Sequence, residues 1–496
     1  MARARDETVA LRKRNFSIYD ISDALGEEKL YLSPSAVREI LNEEGFAPLP
    51  RRLDEERPRK VSPTVEPVAD ARAFSLAEHS FRTTCGGLFL FVPDMARLGF
   101  DHLAKAAGMP GSKMIPPAHA LRAALALKLW SIERKSHVMA FAADEGLALF
   151  AGLNAIPKKS FLSEYSHRIE HSRTVRLLAR WQDTLDGEKL LEGDSFNLDF
   201  HSVPYYGESP LVERHYVSMR SRRQPSVLAF LAQEDASRVF CYSNADLRKG
   251  EEAEEVFRFV KFWKAKHGKL PGELVFDSQL TTYNRLARLD AMHIPFITLR
   301  RRTARLLAQI AALPPSAWRV VELDNVTRRF RTPRVYQQHV TLAGCRLRQF
   351  FIQDLGHEEP TILLTNQHHA APKRLITRYA QRMLIENALS DAVRFFHMNA
   401  LSSAVGLKVD FDMALLVVAS GLYRLLSRYM RGYNNAQARQ IFRDLLDMPA
   451  DVVTSPKAVT VHFQRRTHTP ILIASGLLGK RVRVPWWHNA TLTMTA

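Results

Sequence analysis

The stretch LVFDSQLTTYNRLARLDAMHIPFITLRRR, residues 274–302, contains two apolar runs with a helical pattern between them. Its first run is short and ends at Asp277, as a buried strand does where it meets a loop. The middle part spaces its leucines as an amphipathic helix does, and IPFITL is a second strand-like run. A strand, a helix and a strand in this order predict a mixed α/β sheet covered by helices.

Strand-like segments also precede this stretch. NLDFHS, residues 197–202, carries Asp199, and the ranges 225–235 and 237–246 are strand-like as well, before an amphipathic helix over 251–268. Asp277 is expected at the carboxyl end of its strand, where open sheets commonly build active sites. The predicted fold is therefore a multidomain α/β protein with a mixed-sheet core.

Near the N-terminus, residues 7–46 contain two short helical patterns joined by a brief connection. Ser17, with Asp20 three residues later, matches a capping box at the start of the first helix. Ser33 followed by Pro34 marks the start of the second, because proline is favoured at the first helical position. We expect two short helices with a tight join.

The second of these helices carries Ser35 and Arg38 in its first turns. In a helix-turn-helix those turns meet base edges in the major groove, whereas an ordinary helical hairpin has the same local pattern without that role. The proline-rich, charged segment that follows is typical of a mobile linker, with a basic anchor at Arg51 and Arg52. The combination favours an N-terminal helix-turn-helix that binds DNA.

Changes in composition divide the chain into seven regions. We predict a helix-turn-helix domain, a linker, a helical domain, the first part of a catalytic core, a β-rich insertion, the core helix with C-terminal helices, and a C-terminal β-rich tail. In that order the regions are 1–50, 51–74, 75–189, 190–302, 303–365, 366–447 and 448–496. Within them we expect one helix over 373–398 and a β-like segment in TPILIAS, residues 469–475.

The 496-residue chain is strongly basic, with 70 Lys+Arg against 52 Asp+Glu and a formal net charge of +18. Such a charge favours a polyanionic partner, nucleic acid or an anionic membrane, although a merely soluble basic protein has the same balance. The most apolar run, from Met413, is shorter than the roughly 20 residues of a spanning helix, and the first residues lack the apolar core of a signal peptide. Three widely separated cysteines indicate neither a disulfide framework nor a zinc cluster. We expect a reducing, cytoplasmic setting.

Three acidic residues, Asp199, Asp277 and Glu386, are candidates for chemistry. A carboxylate on an apolar strand is costly unless it is paired, protonated or bound to metal. Several carboxylates brought together repel one another unless a divalent cation compensates, and hard oxygen ligands suit magnesium or manganese. A single Asp at a strand end is also a common cap or turn residue, so spacing alone does not establish that the three converge.

A polar stripe runs along the helical segment YAQRMLIEN, residues 379–387. Tyr379, Arg382 and Glu386 stand at i, i+3 and i+7, which puts them on one face of a helix. Apolar residues cover the opposite side, so we expect this helix to pack onto the sheet and present the stripe to a site.

These segments together resemble the DDE transposases of bacterial insertion sequences, closest to the insertion-sequence-four-like group, which have an RNase H-like catalytic core. In that family the first Asp lies on the first core strand, as Asp199 does in LDFHSVPYYG. The second follows an apolar strand that precedes a helix and a strand ending in basic residues, as Asp277 does. The resemblance also covers the helix-turn-helix and a β-rich insertion before the third acidic residue.

The third acidic residue of the family belongs to a motif of Tyr, two residues, Arg, three residues, Glu, six residues and Lys. Tyr379, Arg382 and Glu386 match that spacing. The Lys position is occupied by Val393, and Arg394 follows one residue later, about 100° further round the helix. Whether Arg394 replaces the lysine stays open.

The resemblance implies roles for these side chains. Asp199, Asp277 and Glu386 would hold two magnesium (or manganese) ions that activate water and then a 3′-hydroxyl for attack on phosphorus. Arg382 and Tyr379 would contact a phosphate near the transposon end.

Further contacts with DNA are expected from basic and aromatic residues. Arg300, Arg301 and Arg302 form a cluster after a core strand, which would meet phosphates or would simply be a solvated run. Trp318 opens the β-rich insertion, where a tryptophan stacks on a flipped base in hairpin-forming relatives, or it is a core residue. Arg394 is a further candidate for a phosphate contact.

The resemblance implies a transposase that binds the terminal inverted repeats of its element as a homodimer, cuts at the ends and joins them to target DNA. The partner would be double-stranded DNA, not a membrane, in a bacterial cytoplasm at the nucleoid. Two alternatives stay open: a catalytically inactive or domesticated DNA-binding descendant, and a helix-turn-helix regulator.

Overall fold

The computed structural model describes most of the chain. The described ranges are 2–49, 69–207, 212–217, 222–247, 250, 252–278, 282–323, 331–355, 359–400 and 406–496, with the side chains of 383–388 left out. Arg51 and Arg52, predicted to contact DNA, lie outside these ranges, as does the Glu386 side chain.

The N-terminal unit consists of three short helices around a small apolar core. They are α1 (Ala2–Lys13), α2 (Ile18–Glu27) and α3 (Pro34–Glu43). The predicted capping box is confirmed, because the Ser17 side chain accepts from the Asp20 N–H while the Asp20 carboxylate accepts from the Ser17 N–H. Ser33 caps α3, with Pro34 in its first turn as predicted.

Residues 69–189 are mainly helical. One strand, β1 (His79–Thr83), precedes six helices: α4 (Val92–Arg97), α5 (Phe100–Ala106), α6 (Pro117–Leu129), α7 (Glu145–Ala151), α8 (Lys159–His167) and α9 (His171–Gly187). Helix α6 is buried on nearly every side from Ala120 to Leu129, because its alanines and leucines face neighbours all round.

A mixed sheet of ten strands lies at the centre of the described chain. Its strands are β2 (Ser195–Pro204), β3 (Arg214–Val217), β4 (Arg222–Glu234), β5 (Phe240–Asn244), β6 (Glu273–Phe276), β7 (Phe296–Leu299), β8 (Arg319–Val320), β9 (Arg334–Leu342), β10 (Cys345–Gln353) and β11 (Thr361–Thr365). The strand order is β3-β4-β2-β6-β7-β11-β10-β9-β8, with β5 paired to β4. The predicted mixed α/β architecture is confirmed.

Parallel pairs form the middle of this sheet. Strand β6 is parallel to β2 and to β7, and such pairs need crossover connections. Helix α10 (Glu252–His267) precedes β6, and α11 (Tyr283–Ala291) connects β6 to β7, as predicted for residues 274–302. Antiparallel β11 then joins β7 to β10 and β9, so strands of the region predicted as an insertion extend the same sheet. A short helix, α12 (Ala304–Ala311), follows β7.

Two helices, not the single expected one, occupy most of the 373–398 segment. They are α13 (Pro372–Gln381) and α14 (Met383–Arg394). The junction is Arg382, whose N–H donates to the Tyr379 carbonyl at 3.1 Å in a tighter, 3₁₀-type turn. The expectation of one helix is therefore wrong. Neither glycine nor proline lies at this junction, so the sequence has no local signal for it.

The C-terminal third begins with the long buried helix α15 (Gly406–Tyr429), followed by α16 (Ala438–Ile441), which continues as a π-turn over 442–446. Within the described ranges, no helix combines the length and apolar character that a membrane crossing requires.

A second sheet pairs β1, which follows the N-terminal unit, with four strands from the C-terminal end of the chain. Strands β12 (Ala450–Ser455), β13 (Ala458–Phe463), β14 (Arg481–Val484) and β15 (Ala490–Thr495) join β1 in the order β1-β12-β13-β15-β14. The β-like expectation for TPILIAS is wrong, because residues Thr469–Ala474 form helix α17. Pro470 lies in its first turn, where proline stabilises a helix start, and a short apolar run does not distinguish a helix from a strand.

Candidate active site

Asp199 lies on β2, and Asp277 directly follows β6, the neighbouring parallel strand. Strand β2 pairs with β6 from Ser195 opposite Glu273, and the partner numbers differ by 78 along the pairing. Asp199 and Asp277 are the same number of residues apart, so the register, extended past its last pair, brings them side by side. The spacing of residues along the sequence does not predict this register.

The two aspartates share the sheet face that is covered by α13. Because side chains alternate along a strand, Ser195, Asn197 and Asp199 point to the same face of β2. The Arg378 guanidinium of α13 donates to Ser195 Oγ at 2.9 Å and to Asn197 Oδ1 at 2.8 Å. Helix α13 therefore lies over the face that carries Asp199.

Arg378 is the centre of a buried ion cluster at the start of the two strands. Its Nε contacts Glu273 Oε2 and its Nη1 contacts Asp235 Oδ1, each at 3.0 Å. Burial lowers the pKa of Arg378, while the two carboxylates oppose that shift. Arg374, one turn earlier, also donates to Glu273 Oε1 at 3.0 Å, so this cluster pairs two carboxylates with two guanidinium groups.

Arg382 repeats this contact one helical turn later. It is 7% exposed, and its Nη2 donates to Asp199 Oδ1 at 3.1 Å. Arg378 and Arg382 are four residues apart, whereas their partners Asn197 and Asp199 are two residues apart on β2. The contacts match because four residues advance about 6 Å along a helix, and two residues advance about 6.6 Å along a strand.

Tyr379 joins the same group of side chains. It interacts by hydrogen bond with Arg382 and is half-buried. Burial, reinforced by the charges of Asp277 and Asp199, raises the pKa of Tyr379 to about 12. Tyr379, Arg382, Asp199 and Asp277 therefore lie in one cluster, although they come from three separate segments of the sequence.

Asp277 stands where β6 ends, and its Oδ1 accepts a hydrogen bond from the Ser278 N–H. It is half-buried, so solvent reaches it beside the apolar strand that precedes it. A carboxylate at such a strand end is accessible to a ligand while its backbone is held by the sheet.

Glu386 belongs to α14, four residues beyond Arg382, and its side chain lies outside the described residues. Over the side chains that the structure does describe, no group of three or more His, Cys, Asp or Glu residues is arranged to hold a metal ion. The predicted third ligand is not among those side chains. The carboxylates of Asp199 and Asp277 are hard oxygen donors, the kind of ligand that suits magnesium or manganese.

The three arginines after β7 make different contacts. Arg300 donates to Gln349 Oε1 and, at 3.3 Å, to the Tyr283 hydroxyl, while Arg302 pairs with Glu359. Arg301 is exposed. Arg300 thus contacts β10 and Arg302 contacts the segment before β11, roles within the protein that the expectation of a phosphate-binding run did not include.

Trp318 and Arg394 differ in how much of the side chain is exposed to solvent. Trp318 is half-buried and packs with apolar residues of α12 and the sheet, and its ring centre is 6.5 Å from that of Tyr336. Val393 packs against the main core, whereas Arg394 is exposed at the end of α14. Of these two neighbours, Arg394 is the one that faces solvent.

In the N-terminal unit, Ser35 and Arg38 are exposed in the first turns of α3, while Val37 between them is buried. This arrangement leaves the two side chains available to a partner, as the helix-turn-helix prediction requires.

Sequence reasoning missed the Arg378 cluster. A signal was present, because Glu273 shares the strand parity of Asp277, and Arg378 precedes Arg382 by one helical turn. That signal has no meaning until the pairing of β2 with β6 is known.

Comparisons with known proteins complete the description. No family model matches the chain, and no curated protein matches its sequence. Among solved structures, the chain is similar to the piggyBac transposase in a cryo-EM structure of its synaptic complex with hairpin DNA. The TM-score is 0.33 at 10% sequence identity, over 74% of this chain and 87% of that chain. A similarity of this extent does not establish a common fold.

Proposed function

We propose that this chain is a DNA strand-transfer enzyme of the transposase type, which cuts at the ends of a DNA element and joins them to target DNA. Two observations support the proposal: the parallel register of β2 with β6, which would bring Asp199 beside Asp277, and the contact of Arg382 with Asp199 at the junction that precedes α14. The sequence match to the Tyr, Arg and Glu motif and the net charge of +18 support it.

Asp199, Asp277 and Glu386 would hold the divalent metal. When bound between carboxylates, magnesium ions supply a metal-activated nucleophile and stabilise the charge that develops on the phosphate. The protein's own part is to keep the aspartates fixed on β2 and β6, so that no rearrangement of the sheet is needed when the metal binds.

Arg382 and Tyr379 would bind the phosphate of the reacting strand. Arg382 pairs with Asp199, and a metal on Asp199 would release its guanidinium toward a phosphate oxygen. Tyr379 is protonated at neutral pH, as any tyrosine with a pKa near 10 or above is, so its hydroxyl could donate to the same phosphate.

DNA binding outside the site would involve α3 and the basic surface. Ser35 and Arg38 would meet base edges of the terminal repeats, and Arg301 and Arg394 would meet phosphates. A homodimer holding two DNA ends would be the working unit.

A second candidate is a DNA-binding descendant that no longer cuts. The observation that favours it is the ion pair between Arg382 and Asp199, in which a cation of the protein itself neutralises a predicted metal ligand. The two candidates differ in one property, metal-dependent cleavage.

A cleavage assay distinguishes the two candidates. Its substrate is DNA that carries the inverted repeats flanking the gene. Wild type with magnesium should nick and join the ends, and Asp277→Ala should bind the same DNA without cutting it. Asp451→Asn, an exposed position on β12, is the matched control and should behave as wild type. Binding without cleavage by wild type would support the second candidate, and cleavage by Asp277→Ala would show that the site has been misassigned.

A further inference from the structure

A cavity of about 450 Å³ lies away from the aspartates, where α6, the 3₁₀ segment Lys135–Phe141, α8 and α15 meet. Its volume is within the range of pockets that bind small molecules. The walls combine two kinds of side chain, a set of lysines with serine hydroxyls and a set of apolar residues.

Among the described residues that line this cavity, several lysines accompany one buried carboxylate, that of Asp412. Lys128 Nζ pairs with Asp412 Oδ2 at 2.6 Å, and Lys135 Nζ is 3.6 Å from Asp412 Oδ1. Lys408 Nζ donates to the Ser163 hydroxyl at 2.9 Å. Three ammonium groups therefore share a partly buried cavity with one carboxylate, and two of them are close to it, an arrangement that costs free energy unless a further anion is bound.

Charged groups at the rim do not correct this excess. Glu133 is 3.5 Å from Arg134, so these two exposed residues offset each other. Lys159, also exposed, adds another positive charge to the lining. Counted over the described lining residues, the cavity is positive.

The neighbouring pKa values reflect the same crowding. Burial and the Lys135 ammonium lower the pKa of Lys408 to about 8. Burial, together with the charges of Lys408 and Lys135, lowers the pKa of His167 to about 4. Both shifts have the direction expected where positive charges are close together without enough counter-charge.

The remaining walls indicate what else the ligand carries. Leu127, Ile132 and Val409 contribute apolar surface to the cavity wall, and Ser136 and Ser160 contribute hydroxyls. Such a combination suits an anionic group attached to an apolar ring or chain, because the lysines would bind the anion and the apolar wall the organic part.

The cavity is also connected to the helix above the candidate site. Lys128 Nζ donates to the Phe396 carbonyl at 2.9 Å, and Ser131 Oγ donates to the Phe395 carbonyl at 2.7 Å. These carbonyls follow α14 directly. A ligand that orders Lys128 would therefore also hold the end of that helix.

We propose that this cavity binds a phosphate monoester of mononucleotide size, with the phosphate among Lys128, Lys135 and Lys408 and the base on the apolar wall. The phosphate could come from a free nucleotide or from the 5′-phosphorylated end of a DNA strand. The proposal rests on the cavity alone and holds whether or not the chain cuts DNA.

Titration calorimetry of the full chain with deoxyadenosine monophosphate tests it, without metal. Wild type should bind, and deoxyadenosine, which lacks the phosphate, should bind at least about tenfold more weakly. Lys408→Gln should also lose at least about tenfold in affinity, since glutamine keeps a hydrogen bond to Ser163 but removes the charge. Lys457→Gln, at an exposed lysine beside β13, is the control and should bind as wild type does.

Thermal unfolding separates a binding role from a structural one. Without ligand, Lys408→Gln should unfold at the same or a higher temperature than wild type, because one of three like charges is gone. Deoxyadenosine monophosphate should raise the unfolding temperature of wild type and of Lys457→Gln alike, and that of Lys408→Gln by less. No binding by wild type at millimolar nucleotide, or equal binding by Lys408→Gln, would overturn the proposal.

A competing oligonucleotide identifies the source of the phosphate. If a 5′-phosphorylated single strand displaces the mononucleotide and its 5′-hydroxyl counterpart does not, the ligand is a strand end. If neither displaces it, the ligand is a free nucleotide. Displacement by both strands alike would contradict recognition of a phosphate monoester.

Discussion

The two ends of the paired strands β2 and β6 lie under the same helices, yet their charges are balanced differently. At the first end, Glu273 and Asp235 meet Arg378 and Arg374, two carboxylates with two guanidinium groups. The cluster around Arg378 is buried and its hydrogen bonds join α13, β2 and β6. Such a network holds elements in register and leaves little reason for a ligand to bind.

At the other end, Asp199 and Asp277 stand level with each other beside one guanidinium, that of Arg382. Counted over these three groups the charge is negative, and Glu386 would make it more so. The comparison teaches that similar residues, one helical turn apart, serve different purposes according to charge balance: the balanced end fixes the helices, and the acidic end suits a cation.

The largest effect on stability is expected at the balanced end. Arg378→Met should lower the free energy of unfolding by about 3–5 kcal/mol, because it removes the ion pair of Asp235 and leaves the buried Glu273 to the half-exposed Arg374. Urea unfolding followed by circular dichroism measures the change.

Arg374→Met is the matched control, because Arg374 contacts the same Glu273 from a side chain that is 54% exposed. It should cost less than about 1 kcal/mol, as exposed ion pairs do. Equal losses for the two variants would mean that burial does not distinguish the two arginines and would break the comparison.

Another buried carboxylate, Asp410 on α15, is likewise paired with a basic side chain and gives a pH prediction. Its Oδ2 is 2.9 Å from His171 Nδ1. Burial alone would lower the pKa of His171, but Asp410 raises it to about 9. Because the folded-state pKa exceeds the unfolded value of about 6.5, the stabilisation is complete below pH 6.5 and is lost as the pH rises to 9, at most about 3 kcal/mol.

The difference in unfolding free energy between wild type and His171→Gln, followed from pH 6 to pH 9.5, isolates this contribution. It should shrink as the pH rises. A difference that stays constant over this range would show that the pair does not gain a proton on folding.

The smaller effect is expected at the acidic end. Without metal, Arg382→Met should lower the free energy of unfolding by about 1.5–3 kcal/mol, since Asp199 loses a charge-assisted hydrogen bond. With saturating manganese the loss should be smaller, because the cation takes over the compensation of Asp199. Scanning fluorimetry of both proteins in manganese and in chelator gives the comparison, and the same loss in both conditions would count against a metal at Asp199.

Much of the local structure could be predicted from the sequence. The strand, helix and strand of residues 274–302 and the caps at Ser17 and Ser33 depend on nearby residues, and all of them are present. Asp199 and Asp277 are candidates from the sequence as well, because a carboxylate within an apolar strand or directly after one is costly unless it is paired, protonated or bound to metal.

What could not be predicted depends on contacts between distant segments. Arg378 meets Glu273 across 105 residues, and β1 pairs with β12 from the opposite end of the chain. The break between α13 and α14 at Arg382 likewise has no local signal in the sequence. It is accompanied by the contact of Arg382 with Asp199, which comes from a distant segment. The helix at Thr469–Ala474 was missed for a different reason, since a four-residue apolar run suits helix and strand alike.

Direct titration of manganese into the metal-free protein tests the central claim, that the acidic end of β2 and β6 is a divalent-metal site. Wild type should bind manganese, and Asp277→Asn should bind it at least about tenfold more weakly, as expected when a coordinating group is lost. The exposed Asp451→Asn should bind as wild type does. Absence of manganese binding at millimolar concentration, or equal affinity in wild type and Asp277→Asn, would contradict the claim.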